Sequence, residues 1–241
     1  MAASFLPTRQ DVQRYLSLRA LGISLGSRII KTIPRQAYDE IGRALGILRD
    51  GALVFDSLDM TSVLMDCCLY DWFVDGKNLV ERYVEMHPAE PGTDESYLLQ
   101  AYLQAKYRIV VAQSRVPEAG LYCQDVLNGE ELFLMDLGLS QSITGGNAAI
   151  ATRTIPLGEY SMTGGAGLPI SSKKAVLDGL LRIESEHDKP LQGPGGVSLT
   201  IARACLAAGA ADYIAYRSTQ ADSRKLRPEP RWPRHKPHRR R

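Results

Sequence analysis

The chain has few cysteines, no long apolar run and no recognisable catalytic motif. Each absence narrows what it can be. Of 241 residues four are cysteine: Cys67 and Cys68 adjacent, Cys123 and Cys205 alone. None has the C-x-x-C spacing of a zinc site or a redox pair, so four small buried thiols are expected. No apolar stretch approaches the roughly 18–20 residues that span a bilayer. The first residues, MAASFLPTRQ, lack a basic segment followed by an apolar one, so no secretory signal is read and a cytoplasmic location is expected. No serine lies in a G-x-S-x-G elbow, and the four histidines (His87, His187, His235 and His238) fall in loops or the tail. Neither a catalytic residue, a metal ligand nor a cofactor is assigned.

What is present is an ordinary globular composition, 44% hydrophobic and 23% charged, with charge divided unevenly along the chain. From Arg224 to Arg241 there are nine Lys or Arg and one acid, Glu229, a net of +8. Subtracting these from 29 bases and 27 acids leaves 20 and 26 in residues 1–223, a net of −6. The tail bases are Arg224, Lys225, Arg227, Arg231, Arg234, Lys236, Arg239, Arg240 and Arg241, with Trp232 among them. Nine bases beside an aromatic are suited to RNA, DNA or an acidic protein surface. The prolines between them oppose a helix, so residues 219–241 read as a disordered basic tail.

The pattern predicts an α+β protein: a helical region over 1–106, a small antiparallel β-barrel or meander of SH3-like or OB-like type over 107–170, and C-terminal helices over 171–218 on the same core. Thr8 with Asp11 three residues on marks a helix start. Gly22 and Gly26 predict either a break in that helix or a close contact with a neighbour. A second helix is expected from Arg35 to Leu45, stopping at Gly46. A largely buried helix follows from Thr61 and ends at the turn dipeptide Asp75–Gly76. Two more run from Asn78 to Met86 and from Glu95 to Lys106. At Tyr107 the rhythm changes to the alternation of strands. Ile109–Ala112, Leu121–Leu127, Glu131–Leu139, Ala148–Ile155 and Glu159–Thr163 are expected strands. Asn128–Gly129 is the strongest hairpin signal, as both residues tolerate positive φ. Ser171 or Ser172 caps one last helix, and Ser198 opens an alanine-rich one running to Tyr216.

The pieces DGKNLVERY, LLQAYLQA and QDVLNGEE carry a resemblance. Over residues 30–165 the chain resembles a group of uncharacterised bacterial proteins in which a GKN–ERY helix and an LLxA helix precede a strand pair. Some members end in a cysteine-rich SEC-C zinc motif linked to protein handling. Here that position holds LRPEPRWPRHKPHRRR, without cysteine, so metal binding does not carry over. The resemblance implies no catalytic residue.

Three constellations remain. Asp56, Asp59, Asp66, Asp71 and Asp75 crowd one stretch, and clustered carboxylates could hold Mg²⁺ for a metal-dependent hydrolase; capping and solvation explain them more simply. Asp66 among Met65, Cys67 and Cys68 is placed to be buried, and would then pair with an arginine such as Arg82 or Arg43. The glycine runs TGGAG (163–167) and GPGG (193–196) offer backbone amides, the second ahead of a helix start where a phosphate could sit; ordinary turns are the better reading. Residues 107–163 hold three arginines, no lysine and six acids, which argues against a nucleic-acid-binding barrel unless Arg108 and Arg153 gather on one face. The expected function is a non-enzymatic binding or accessory protein engaging a protein partner, away from membranes. The alternatives are nucleic-acid association through the tail and metal-dependent hydrolysis.

Overall fold

The computed structural model describes residues 5–55, 58–143, 148–170, 173–186 and 196–208. The basic tail lies outside them, as do Asp56, the turn expected at 144–147, the cap expected at Ser171 or Ser172, and the last residues of the helix expected to reach Tyr216.

The first half is helical. Helix α1 (Arg9–Ile30) starts at a capping box: the Thr8 hydroxyl accepts from the Asp11 N–H, and the Asp11 carboxylate accepts from the Thr8 N–H. It runs unbroken through Gly22 and Gly26. At Gly22 the reason for glycine is a close contact, because a Cβ there would lie 3.0 Å from the Tyr102 hydroxyl. Helix α2 (Arg35–Leu45) ends at Gly46 in the left-handed region. A hairpin of β1 (Leu48–Arg49) and β2 (Ala52–Leu53) follows. Helix α3 (Leu58–Tyr70) is shorter than its apolar pattern suggests, because β3 (Phe73–Val74) and β4 (Lys77–Asn78) form a second hairpin before α4 (Leu79–Met86). Both hairpins turn on Asp–Gly pairs with positive φ: 50° and 76° at Asp50–Gly51, 53° and 77° at Asp75–Gly76. Asp75–Gly76 therefore turns a hairpin and does not end a helix. Helix α5 (Asp94–Leu103), capped by the Thr93 hydroxyl, completes the half.

Next come β5 (Lys106–Val116), β6 (Gly120–Asp125), β7 (Glu131–Met135), the short helix α6 (Leu137–Ser142), β8 (Ala149–Pro156), β9 (Ser161–Thr163) and β10 (Leu168–Ile170). Strands β5, β6, β7, β9 and β8 close into a five-stranded barrel. Its β5–β6, β6–β7, β5–β8 and β8–β9 pairings are antiparallel; β7 meets β9 parallel, at Leu134 and Ser161. Strand β10 pairs with the first half of β8. The expected return strand over Glu131–Leu139 stops at Met135, since Asp136 caps α6 through a bond from the Leu139 N–H. At Asn128–Gly129 only Gly129 takes positive φ. The connection is a longer loop, braced by the Leu127 N–H donating to the Asp125 carboxylate and the Glu130 N–H donating to the Asn128 side-chain oxygen.

Register divides the barrel residues between two faces. Val110, Ala112, Leu121, Cys123, Leu134 and Ile150 turn inward, with Leu139 of α6 packed among them. Tyr107, Ile109, Phe133, Met135, Ala151 and Ile155 join the core shared with the helices. Helix α7 (Lys173–Glu186) and α8 (Gly196–Ala207) complete the fold, and α8 packs against α2, α3 and β5. No helix among the described residues is long and apolar enough to cross a membrane.

Candidate functional site, a buried charge triad beside a cleft

Strand β8, AIATRTIP, is buried on both faces. It carries one charge, Arg153, which points out of the barrel toward the helices and is 2% exposed. A guanidinium in such a place needs carboxylates. Its Nε and Nη2 donate to Asp66 Oδ2 at 3.0 and 2.8 Å, and Nη2 donates to Asp71 Oδ2 at 2.6 Å. Asp66 lies near the end of α3. Asp71 is the first residue beyond it, held by its own N–H on the Cys67 carbonyl at 2.8 Å. The Ser198 hydroxyl of α8 adds a hydrogen bond to Asp71. The guanidinium carbon is 4.4 Å from the Tyr70 ring centre and 5.2 Å from that of Tyr107. The Tyr107 hydroxyl is buried and has no hydrogen-bond partner among the described residues.

The acid expected to be buried is Asp66, and it is. Its partner is neither Arg82 nor Arg43 but Arg153, 87 residues away. Among the other acids, Asp71 converges with Asp66, Asp75 is exposed in the β3–β4 turn, and Asp59 lies partly buried in the first turn of α3. One atom each of Asp66, Cys67 and Asp71 lies within 4.8 Å of the others. Two carboxylates share one cation, so with both acids ionised the triad carries a formal net charge of −1. Burial raises the pKa of both acids against the pull of Arg153, and Asp66 raises Asp71 further. Arg153 stays charged: desolvation opposes this, but the two acids together hold its pKa above the ordinary value.

Arg108 does not gather with Arg153. Register sets it opposite Thr152, and Arg153 opposite Tyr107, so the two point to opposite faces of the sheet. Arg108 lies on the face that turns into the barrel. It donates to Asp125 at 2.6 Å, to Glu130 at 2.7 Å and to Thr154 at 3.1 Å. Neither arginine is free for a phosphate. All four cysteines are buried. Desolvation pushes Cys68, Cys123 and Cys205 up to about 12, and Cys67 is raised as well. Thiols so raised are poor nucleophiles near neutral pH.

A cleft opens beside the triad. Its volume is about 220 Å³, and its walls come from α1 (Gly22, Gly26, Ile29, Ile30), α3 (Ser62, Met65, Asp66, Leu69, Tyr70), Val80, Tyr102, Ile155 and the β9–β10 loop (Gly164, Gly165, Ala166). A second hollow of about 320 Å³ shares Gly22, Gly26, Ile30, Tyr102, Ile155, Gly164 and Gly165 with it and extends to Arg19 and Ile23, so the two form one groove. Arg19 holds the loop at the far end by donating to the Thr163 carbonyl. Gly164 permits the loop to lie close: a Cβ there would sit 3.0 Å from Arg153 Cβ and 3.4 Å from Asp66 Oδ1. Thus Gly164, Gly165 and Ala166 of this run form part of the cleft wall.

Residues 9–182 match the family of unknown function DUF7986. The chain belongs to DUF7986. No curated protein and no solved structure matches it. Membership in DUF7986 assigns no chemistry to the triad or the groove. Of the groups named from sequence, the fold brings together Asp66 and Asp71; the tail residues lie outside the described ones. Arg153 is named from sequence only beside Arg108 as a possible phosphate-binding face, and Tyr107 and Gly26 as no part of a site. Arg153 alone had a signal: a single charge in an apolar strand needs a buried counter-charge.

Proposed function

We propose that the protein is a binding or accessory protein of the cytosol that engages a protein partner through the groove between α1 and the β9–β10 loop. One observation carries this reading. The groove is open and walled largely by apolar groups, while its charged groups are engaged, Asp66 by Arg153 and Arg19 by the Thr163 carbonyl. Such concave apolar surfaces with a few polar groups are where ligands and partner segments bind. The raised thiols supply no ready nucleophile.

Gly26 gives a clean test. It lies in α1 on the groove wall, and a Cβ built there meets nothing within 4 Å. Gly26→Leu therefore fills the groove without disturbing the core. A photo-crosslinking residue at Ile23, 67% exposed on the rim, should give a defined crosslinked protein in cells. That product should vanish in Gly26→Leu. Equal crosslinking in both chains would overturn the reading.

Two further readings rest on specific observations. The +8 tail supports nucleic-acid association through Arg224 to Arg241. Metal-dependent hydrolysis draws on Asp66, Asp71 and Cys67, but Arg153 already serves as the cation between the two acids. Stoichiometric metal in the purified protein, lost in Cys67→Ser, would favour it; metal-free protein that takes up none would end it.

A further inference from the structure

We infer that the groove recognises a lysine side chain of the protein partner, its ammonium on Asp66 and its methylene stem along the apolar wall. The inference rests on the proposed partner-binding groove and says what that groove reads.

Charge comes first. Asp66 and Asp71 bring two negative charges, and among the described residues Arg153 is the cation bonded to them. With both acids ionised, one negative charge is left over in a buried place. That is costly for the protein alone and favours one incoming monocation. Asp66 is the acid that lines the cleft. Its Oδ2 takes both bonds from Arg153, while Oδ1 lies against Gly164, itself part of the cleft wall. The one Asp66 oxygen not bonded to Arg153 suits a compact ammonium better than a guanidinium fork, which looks for two parallel acceptors.

Shape agrees with charge. Ile29, Met65, Leu69, Val80 and Ile155 present aliphatic surface to the cleft, the kind of wall along which a lysine stem lies while its charged end finds a partner. The volume of this cleft is about 220 Å³. It is roomy enough for the five heavy atoms of a lysine side chain.

The experiment titrates the full-length protein with N-acetyl-lysine methylamide, followed by NMR. N-acetyl-norleucine methylamide and the Nζ-acetylated lysine derivative serve as uncharged comparators. The lysine probe should saturate, with an affinity about ten-fold or more above either comparator, the order expected of a charge-assisted hydrogen bond in a shielded site. Asp66→Asn should reduce it to the norleucine level, and Gly26→Leu should abolish it. Should Asp66→Asn fail to fold, Gly26→Leu alone decides. No saturation, or equal binding of all three probes, overturns the inference. Binding that appears only after residues 224–241 are removed would make the chain's own tail the occupant and overturn the assignment to a partner. If the probe does not bind while the Ile23 crosslink still disappears in Gly26→Leu, only the lysine inference fails. If the probe binds and the crosslink persists, it is the partner-binding reading that fails.

Discussion

Arg153 is one cation serving two carboxylates, and this asymmetry decides how substitutions there behave. Removing the cation leaves two buried charges without a counter-charge. Arg153→Met should therefore cost about 3–5 kcal/mol in denaturant unfolding. Asp71→Asn removes the surplus charge yet keeps an oxygen that can accept from Arg153 Nη2, so it should change stability by no more than about 1 kcal/mol. Equal losses in the two variants would refute the picture of a triad with excess negative charge. The same asymmetry sets a pH dependence. Both acids have folded pKa values raised above the ordinary 3.8. The native state then binds protons at a pH where the unfolded chain has released them, so stability increases as pH falls from neutral toward about 4. Below the unfolded value this gain is complete. Asp11 and Asp94, lowered by Thr8 and Arg14 respectively, lose their contribution only there. The melting temperature of the wild type should rise from about pH 7 to about pH 4.5 relative to that of Asp66→Asn. Parallel curves would contradict it. Sequence could place Asp66 in a core, because Met65, Cys67 and Cys68 flank it on a helix. It could not name Arg153, because the pairing crosses from α3 to β8 and depends on which face of the strand meets the helices.

Elements with a local cause were the readable ones. Thr8 with Asp11 and Gly46 mark helix ends through bonds made within four residues, and the structure has those ends. Elements that depend on distant partners were not readable. Strand β10 forms on β8, and the apolar run after Met135 becomes α6 because the Asp136 cap overrides the alternation. The glycines divide in the same way. Gly120 is the first residue of β6, where a Cβ would fall 2.0 Å from the Leu134 carbonyl oxygen and 2.9 Å from Met135 Cα. These are backbone atoms of the paired strand and cannot step aside. Gly120→Ala should open that edge of the barrel and destabilise by about 3 kcal/mol or more. Gly26→Ala should instead stabilise by about 0.5–1 kcal/mol, since its Cβ meets open space in a helix interior. Chemical denaturation of the two variants checks both signs. A neutral Gly120→Ala would mean that β6 and β7 lie farther apart than the structure has them.

At the scale of the whole molecule the division of charge matters most. Residues 1–223 carry −6 and residues 224–241 carry +8. Within the folded part, Arg108 and Arg153 are each committed to two acids. The barrel strands therefore have little cation left for a phosphate backbone. If the protein associates with nucleic acid, the nine tail bases must supply the attraction. The acidic body then opposes them, both by repelling the polymer and by competing for the tail. Counterion release gives the measurable consequence. With all nine bases on a single strand, the logarithm of affinity should fall against the logarithm of salt with a slope of about −6. Engagement of part of the tail gives a proportionally shallower line. Anisotropy of a labelled single-stranded RNA against salt measures the slope. Removing residues 224–241 should abolish binding, because what remains is acidic. Binding that survives this deletion, or that ignores salt, would place the interaction on the folded body and contradict the tail reading. The Ile23 crosslink should be unaffected by the same deletion, since the groove between α1 and the β9–β10 loop is built entirely from residues before the tail.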